Sequence, residues 1–485
     1  MNKIETGYSD LERLRDGIDS AWEIAHRFGL DPFPTHFELV PASIMYEFAS
    51  YGLPGRFSHW THGKAYYRQK MQYDFGLSKI YEMVVNTNPS YAFLMEMNNL
   101  LQNTFVAAHV FGHTDFFKNN AYFQHTSRRM IDKVSVHAER IAKYEFDHGK
   151  DVVERFLDAA LSIQEHIDYN LFLHSDDEEE PAEEEAKKKP STEYDDLWGL
   201  DEKAKRAEEE RNRLPGKPPK FPEKPEKDIL QFLIRHAPRL EPWQRDILEI
   251  VRSEMLYFVP QMQTKTMNEG WASLWHSRIM RELADIGKVS NSEMVEFAQL
   301  HSGVLSPSRT SLNPYYIGFK VFEDIERRWD NPTQEERDLL GRKPGKGREK
   351  IFEVRELDND VSFLRNYLTE DLIKDLDLYL YRKEGDEWVI VEKNWQKVRD
   401  GIVASMTNFG YPYLVVENGD YRGNRELYIK HLFEGQDLDL VYAEKTLQHV
   451  YTMWGRPVHL ETIYDNKRIL LTYDGERNSK STLEK

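Results

Sequence analysis

Apolar residues recur at helical spacing from Leu11 to Phe28, through Leu14, Ile18, Trp22, Ile24 and Ala25, and predict a first helix there. Two stretches rich in turn formers follow, LDPFPTHFELVP from Leu30 and the run from Tyr51 to Lys64. Ser90 to Lys118 is long and apolar and is predicted to be one helix, although Gly112 lies inside it. Further helices are predicted over Arg128–Asp147 and Asp151–Leu173. Helical patterning returns at Asp228 and runs to about Arg342, through the segment around Glu269 and through NPYYIGFKVFEDIERRW. Beyond it the period falls to two. LDLYLYRK, EWVIVEKN, PYLVVENG, ELYIKHLF, VHLETIYD and RILLTYDG read as strands, with WQKVRDGIVASMTNFG and YAEKTLQHVYTMW as helices between them.

Between these regions the composition changes abruptly. Eight of the ten residues from Asp176 to Glu185 are acidic, Lys187 to Lys189 follow, and LPGKPPKFPEKP from Leu214 to Pro225 is too proline-rich for a helix or a central strand. Such a segment buries too little apolar area to offset its ordering entropy, so it is expected to be mobile. Its single sticky patch is YDDLWGL, Tyr194 to Leu200, which reads as a contact with the protein's own surface or as a docking motif. GRKPGKGREK, Gly341 to Lys350, reads as an interdomain linker. The expected organisation is therefore a helical domain over 1–174, a linker or insert over 175–227, a second helical part over 228–345 and a small domain over 352–485. The fold class is a mainly α N-terminal body, a zincin-like helical frame for a metal site, with a C-terminal α+β domain built on an antiparallel sheet.

The chain has 485 residues, room for two to three domains. No apolar run reaches the length of a membrane span, and the first residues lack the apolar middle of a secretory signal, so a cytoplasmic protein without membrane insertion is expected. With no cysteine, thiolate ligands, disulfides and a cysteine nucleophile are excluded. A net charge of −18 argues against nucleic acid as a partner.

Candidate chemistry centres on His109 and His113 in NTFVAAHVFGHTDFF. Histidines four apart on a helix share a face and are able to share one metal ion. Gly112 strengthens this reading, because a glycine inside a helix costs about 1 kcal/mol relative to alanine and implies a close approach there. Asn98, Asn99 and Asn103 on the same predicted helix suggest a site wall. Glu269 in MNEGWASLWH is the favoured third ligand, and His276, seven residues on, is an outer partner or additional ligand. Asp115 is placed to hold the second nitrogen of a histidine. The position after the first histidine, where zinc peptidases keep their general base, is Val110. A base has to come from elsewhere, with Glu139 and His137 the first candidates, while Glu254 reads as a surface carboxylate. Arg309, Tyr315 and Tyr316 in SPSRTSLNPYYIG are candidates for substrate contact or oxyanion stabilisation, Tyr316 with a catalytic part. Arg56, His59 and His62 in GRFSHWTHGK fit either a metal-binding or a packed surface loop. Phosphate-loop, dinucleotide and nucleophile-elbow motifs are absent.

The segments YGLPGRFSHWTHGK, HVFGHTDFFKNN, MNEGWASLWH, PSRTSLNPYYIG and GRPVHLET together resemble the stage V sporulation protein R (SpoVR) family over nearly the whole chain. The resemblance implies a part in building the endospore, its cortex and envelope above all, in the mother-cell cytoplasm. Similar proteins in bacteria that do not sporulate imply a broader activity, such as a stress response, in company with a PrkA-type serine kinase and a YhbH-type partner. A more distant likeness is to zinc peptidases that read H-E-x-x-H and carry a third ligand in E-G-W-A, which stands intact at Glu269 to Ala272. The expected cofactor is a divalent ion, zinc or iron. The expected activity is metal-dependent and hydrolase-like with an altered base position. A non-catalytic scaffold and a non-haem iron oxidoreductase are the alternatives.

Overall fold

The computed structural model describes residues 2–52, 57–74, 82–170, 221–307, 312–385 and 387–483. The acidic run, YDDLWGL, Arg56 and Arg309 lie outside them. Two compact units emerge, Met1–Glu154 with Ser253–Tyr411, and Arg155–Arg252 with Pro412–Lys485. The division falls at 411/412 rather than near 352, because the helices after Phe352 bury Phe363, Leu364, Val398 and Ile402 in the core of the first unit.

In chain order the described elements begin with α1 (Asn2–Arg27), β1 (Thr35–Val40), α2 (Ala42–Tyr51), α3 (Trp60–Asp74), β2 (Glu82–Val85), β3 (Ser90–Met95), α4 (Leu100–Asn119), α5 (Met130–His148) and α6 (Lys150–Leu161). They continue through α7 (Ile229–His236), α8 (Pro242–Gln263), α9 (Lys265–Asp285), α10 (Asn291–Val304), α11 (Pro314–Asp330), α12 (Gln334–Leu340), α13 (Gly347–Leu357), α14 (Asp360–Tyr367) and α15 (Glu370–Asp375). The hairpin β4 (Leu380–Glu384) and β5 (Glu387–Glu392) and then α16 (Trp395–Met406) end the part before Pro412, in which α7, most of α6 and the first half of α8 belong to the second unit.

The first unit is mainly helical, but its N-terminal part is not all helix. Strands β1, β3 and β2 form a sheet in that order, with β1 parallel and β2 antiparallel to β3. The single helix expected from Ser90 to Lys118 is therefore a strand followed by a helix. Asn99 separates them: its side chain accepts from the amide of Gln102, whose side chain answers the Asn99 amide, a capping box that starts α4. Asn98 donates to Asn103 beside this cap, so the asparagines shape a helix start and not a site wall.

Helix α9 is the spine of this unit and packs tightly on both sides. Toward α4, a Cβ at Gly112 would lie 2.6 Å from Cα of Ala272. Toward α11, a Cβ at Gly270 would lie 2.2 Å from the carbonyl carbon of Gly318. Only hydrogen fits at such crossings, and this is the close approach that Gly112 implies. The first amides of α9 are capped from another helix: Asp360 accepts from Thr266 and Met267 at 2.8 and 2.9 Å. The GRKPGKGREK segment is not a free linker. From Gly347 it is α13, whose first amide donates to Asp330 at 2.8 Å.

The second unit carries β6 (Leu414–Tyr421), β7 (Glu426–His431), α17 (Leu440–Trp454), β8 (Val458–Tyr464), β9 (Lys467–Tyr473) and β10 (Asn478–Thr482). Its sheet runs β10-β9-β8-β7-β6. The expected antiparallel sheet is mixed, since β7 and β8 are parallel. A helix, α17, joins that pair, and a crossover of this kind returns the chain in the same direction. No helix among the described residues is long and apolar enough to cross a membrane.

Candidate metal site

Two residues on α4, one on α9 and one on β2 bring the candidate chemistry together. His109 and His113 stand one turn apart with ring centroids 4.5 Å from each other. Their Nε2 atoms lie 3.6 and 3.5 Å from a single oxygen, Oε2 of Glu269. Glu82 enters from the sheet, with Oε1 3.9 Å from His109 Nε2. Glu82, His109 and His113 each offer a donor atom within 4.8 Å of the other two, a His/His/Glu cluster able to coordinate a metal ion. Donors about 2.1 Å from a tetrahedral ion stand about 3.4 Å apart, close to the spacings found here.

The other side of each imidazole is occupied. His113 Nδ1 meets Oδ1 of Asn268 at 2.9 Å, and His109 Nδ1 meets Nδ1 of His276 at 2.8 Å. Each ring is thus anchored through Nδ1 and presents Nε2 to the cluster, the arrangement metal-bound histidines require. Among the described residues, Oε2 of Glu269 is buried with no hydrogen-bond partner. A carboxylate oxygen left so costs several kcal/mol unless a cation faces it, and the donor set therefore fits a divalent ion.

The two carboxylates are driven apart. Burial raises the pKa of Glu82 to about 7, with His113 opposing and Glu269 adding to the rise. For Glu269 burial acts upward too, but the two imidazoles and the Tyr315 hydroxyl outweigh it and hold the group below its ordinary value. Burial, then Glu269 and Glu82, push the Tyr315 phenol far upward, so it stays a donor. Burial lowers His113 and lowers His276 still further. A cavity of about 650 Å³ opens beside the cluster, of small-molecule size, with Glu82, His109, Glu269, Lys265, Leu312 and Tyr315 in its wall.

The structure sorts the remaining candidates. Tyr315 stacks near the His109 ring at 6.1 Å, whereas Tyr316 packs against the apolar core. Asp115 does not hold a histidine. It is fully buried and accepts from Trp271 Nε1 and from the Asp31 amide, with Arg355 3.6 Å away, so it ties α4 to α9 and α13. His137 pairs with Glu254 at 2.9 Å, so Glu254 is its partner and not a free surface carboxylate. Glu139 points to solvent from the exposed side of α5. Neither His137 nor Glu139 enters the cluster. His59 and His62 bond within their own segment and to Ser50. Sequence reasoning missed Glu82, Asn268 and His301. Glu82 alone carried a signal, an acid standing in the short apolar strand EMVV.

Residues 8–411 match the family described as SpoVR like protein, and residues 412–465 match the SpoVR-like C-terminal domain, which begins where the two structural units divide. The chain is also similar to the uncharacterized protein YcgB of Escherichia coli (strain K12). The two are 30% identical over 500 residues, which take in 95% of this chain and 96% of the relative. No solved structure matches it.

Proposed function

The chain belongs to the SpoVR-like family, and from that footing we propose that it is a metal-dependent enzyme with its ion held by His109, His113 and Glu269. The observation that carries the reading is two Nε2 atoms facing one carboxylate oxygen that has no hydrogen-bond partner among the described residues. The crossing of the histidine helix by the EGWA helix supports a zincin-like frame. A divalent ion in such a site supplies Lewis acidity to a carbonyl or to water.

A catalytic site keeps a coordination position open, so one of the two carboxylates ligates and the other works. Glu269 lies closer to both imidazoles and stays ionised. Glu82, raised by burial and 3.9 Å from His109 Nε2, is the carboxylate assigned to hold and release a proton. It takes the place of the base that Val110, with no solvent exposure, does not supply. Tyr315 donates its hydroxyl to Glu269 and orients it. The activity is hydrolase-like. Its setting is the cytoplasm, in spore-envelope assembly where the organism sporulates, alongside a PrkA-type kinase and a YhbH-type partner. Val110 also leaves room for a scaffold, and the two-histidine, one-carboxylate set equally suits a second chemistry, a non-haem iron oxidoreductase.

Elemental analysis of chelator-free protein tests this. Stoichiometric metal is expected in the wild type and in Glu82→Gln, and its loss in Glu269→Ala and in His109→Ala/His113→Ala. On a panel of peptide and ester substrates, Glu82→Gln is expected to fall about 10²- to 10⁴-fold. Zinc or iron in the sample separates the two chemistries. A wild type that binds neither metal, even after reconstitution, would leave the scaffold reading standing.

A further inference from the structure

The two imidazoles of the cluster are anchored differently. His113 Nδ1 faces Oδ1 of Asn268, an amide oxygen that only accepts. His109 Nδ1 faces another imidazole, His276, which is able to present either a hydrogen or a lone pair. Something has to choose between these. His276 has no solvent exposure, and Phe105 and Phe297 meet its ring edge-on. Its remaining nitrogen, Nε2, lies 2.8 Å from Nδ1 of His301 on α10. The His301 ring in turn stacks on Phe297 with centroids 5.5 Å apart.

The hydrogens along this row follow from its inner end. A nitrogen that gives its lone pair to a cation holds no hydrogen, so neutral His109 with Nε2 on the ion carries its hydrogen on Nδ1. That N–H donates to His276 Nδ1. Neutral His276 then carries its hydrogen on Nε2 and donates to His301 Nδ1. In the opposite tautomer His276 would offer an N–H to His109 Nδ1, driving the His109 hydrogen to Nε2 and closing that nitrogen to metal. We infer that His301, two rings away from the cluster and on a separate helix, is a positioning residue whose Nδ1 accepts from His276 Nε2 and so favours the His276 tautomer that leaves His109 open as a ligand. The inference rests on the metal reading above.

Binding of Co²⁺ and Zn²⁺, measured by competition with a chromophoric chelator and by the visible bands of Co²⁺, tests it. His301→Phe keeps the stack on Phe297 but has no acceptor. It is expected to weaken both metals about five- to tenfold, the worth of one hydrogen bond, and to alter the Co²⁺ bands. His301→Asn places an amide oxygen where Nδ1 stood and is expected to restore affinity to within about twofold. His276→Leu, which removes the partner of the ligand itself, is expected to cost about 10- to 100-fold. If His301→Phe does not fold, His301→Leu takes its place. Wild-type affinity in the acceptor-free variant would overturn the inference, as would an Asn variant as weak as Phe. A wild type that takes up no Co²⁺ would instead overturn the metal reading itself.

Discussion

Replacing Gly270 by alanine sets two opposite expectations against each other. On an isolated helix the change is favourable, by up to about 1 kcal/mol, because alanine loses less backbone entropy. In the folded chain the added methyl would stand 2.2 Å from the carbonyl carbon of Gly318, 2.4 Å from its Cα and 2.6 Å from the Phe319 amide nitrogen. Ordinary contact begins near 3.4 Å, so α9 and α11 have to part by about 1.2 Å, the difference between those two distances. All three neighbours are backbone and have no rotamer to yield. Overpacking of this kind costs about 1–3 kcal/mol, with the upper end expected here, which leaves a net loss near 2 kcal/mol after the helix gain. The displacement also reaches the preceding residue, Glu269, while metal ligands tolerate only about 0.2 Å. Gly270→Ala should therefore lower the melting temperature by several degrees and weaken Zn²⁺ binding more than tenfold. Gly303→Ala is the control, since among the described residues outside its own stretch of helix no atom lies within 4 Å of a Cβ there, and it should hold or raise stability. Thermal unfolding and zinc titration of both variants decide the matter. A Gly270→Ala protein as stable as Gly303→Ala, with unchanged zinc affinity, would refute the packing argument.

Two other outcomes follow from the same geometry. Asp115→Ala leaves buried Arg355 and Trp271 Nε1 without their carboxylate, a loss of about 3–5 kcal/mol, visible as a lowered urea midpoint while the folded fraction still takes up metal. His301 is held down to about 4 by burial, with Arg281, His109 and Lys320 adding to the effect. Its folded value lies below the unfolded 6.5, so the stability it contributes is present above pH 6.5 and is lost as pH falls toward 4. Urea midpoints measured between pH 7 and pH 4 should drop less steeply in His301→Phe than in the wild type.

Local pattern alone determined a good part of this protein. The helix around His109 and His113 follows from its long apolar run, and placing both histidines on one face needs nothing but the 3.6-residue turn. Gly112 announced a close crossing, because a helical glycine carries a cost that only proximity explains. The strand-and-helix alternation after Leu376 is likewise written in its periods of two and 3.6. What the tertiary structure decided is everything that depends on residues distant in order. β3 was hidden because SYAFLM is apolar throughout and runs without a break into an apolar helix, so neither period stands out. Asp115 looked like a histidine partner by proximity along the chain, yet packing turned it toward Trp271 and Arg355. Tyr315 and Tyr316 are indistinguishable as neighbours in sequence, and only the docking of α11 on α9 sends one to the cluster and the other to the core. Glu82 joins the histidines from a strand, and His301 reaches His276 from another helix, through folding that no local spacing encodes. A helix fixes which of its own side chains share a face by geometry within a few residues. Which other chain segment meets that face is settled by the burial of the whole core.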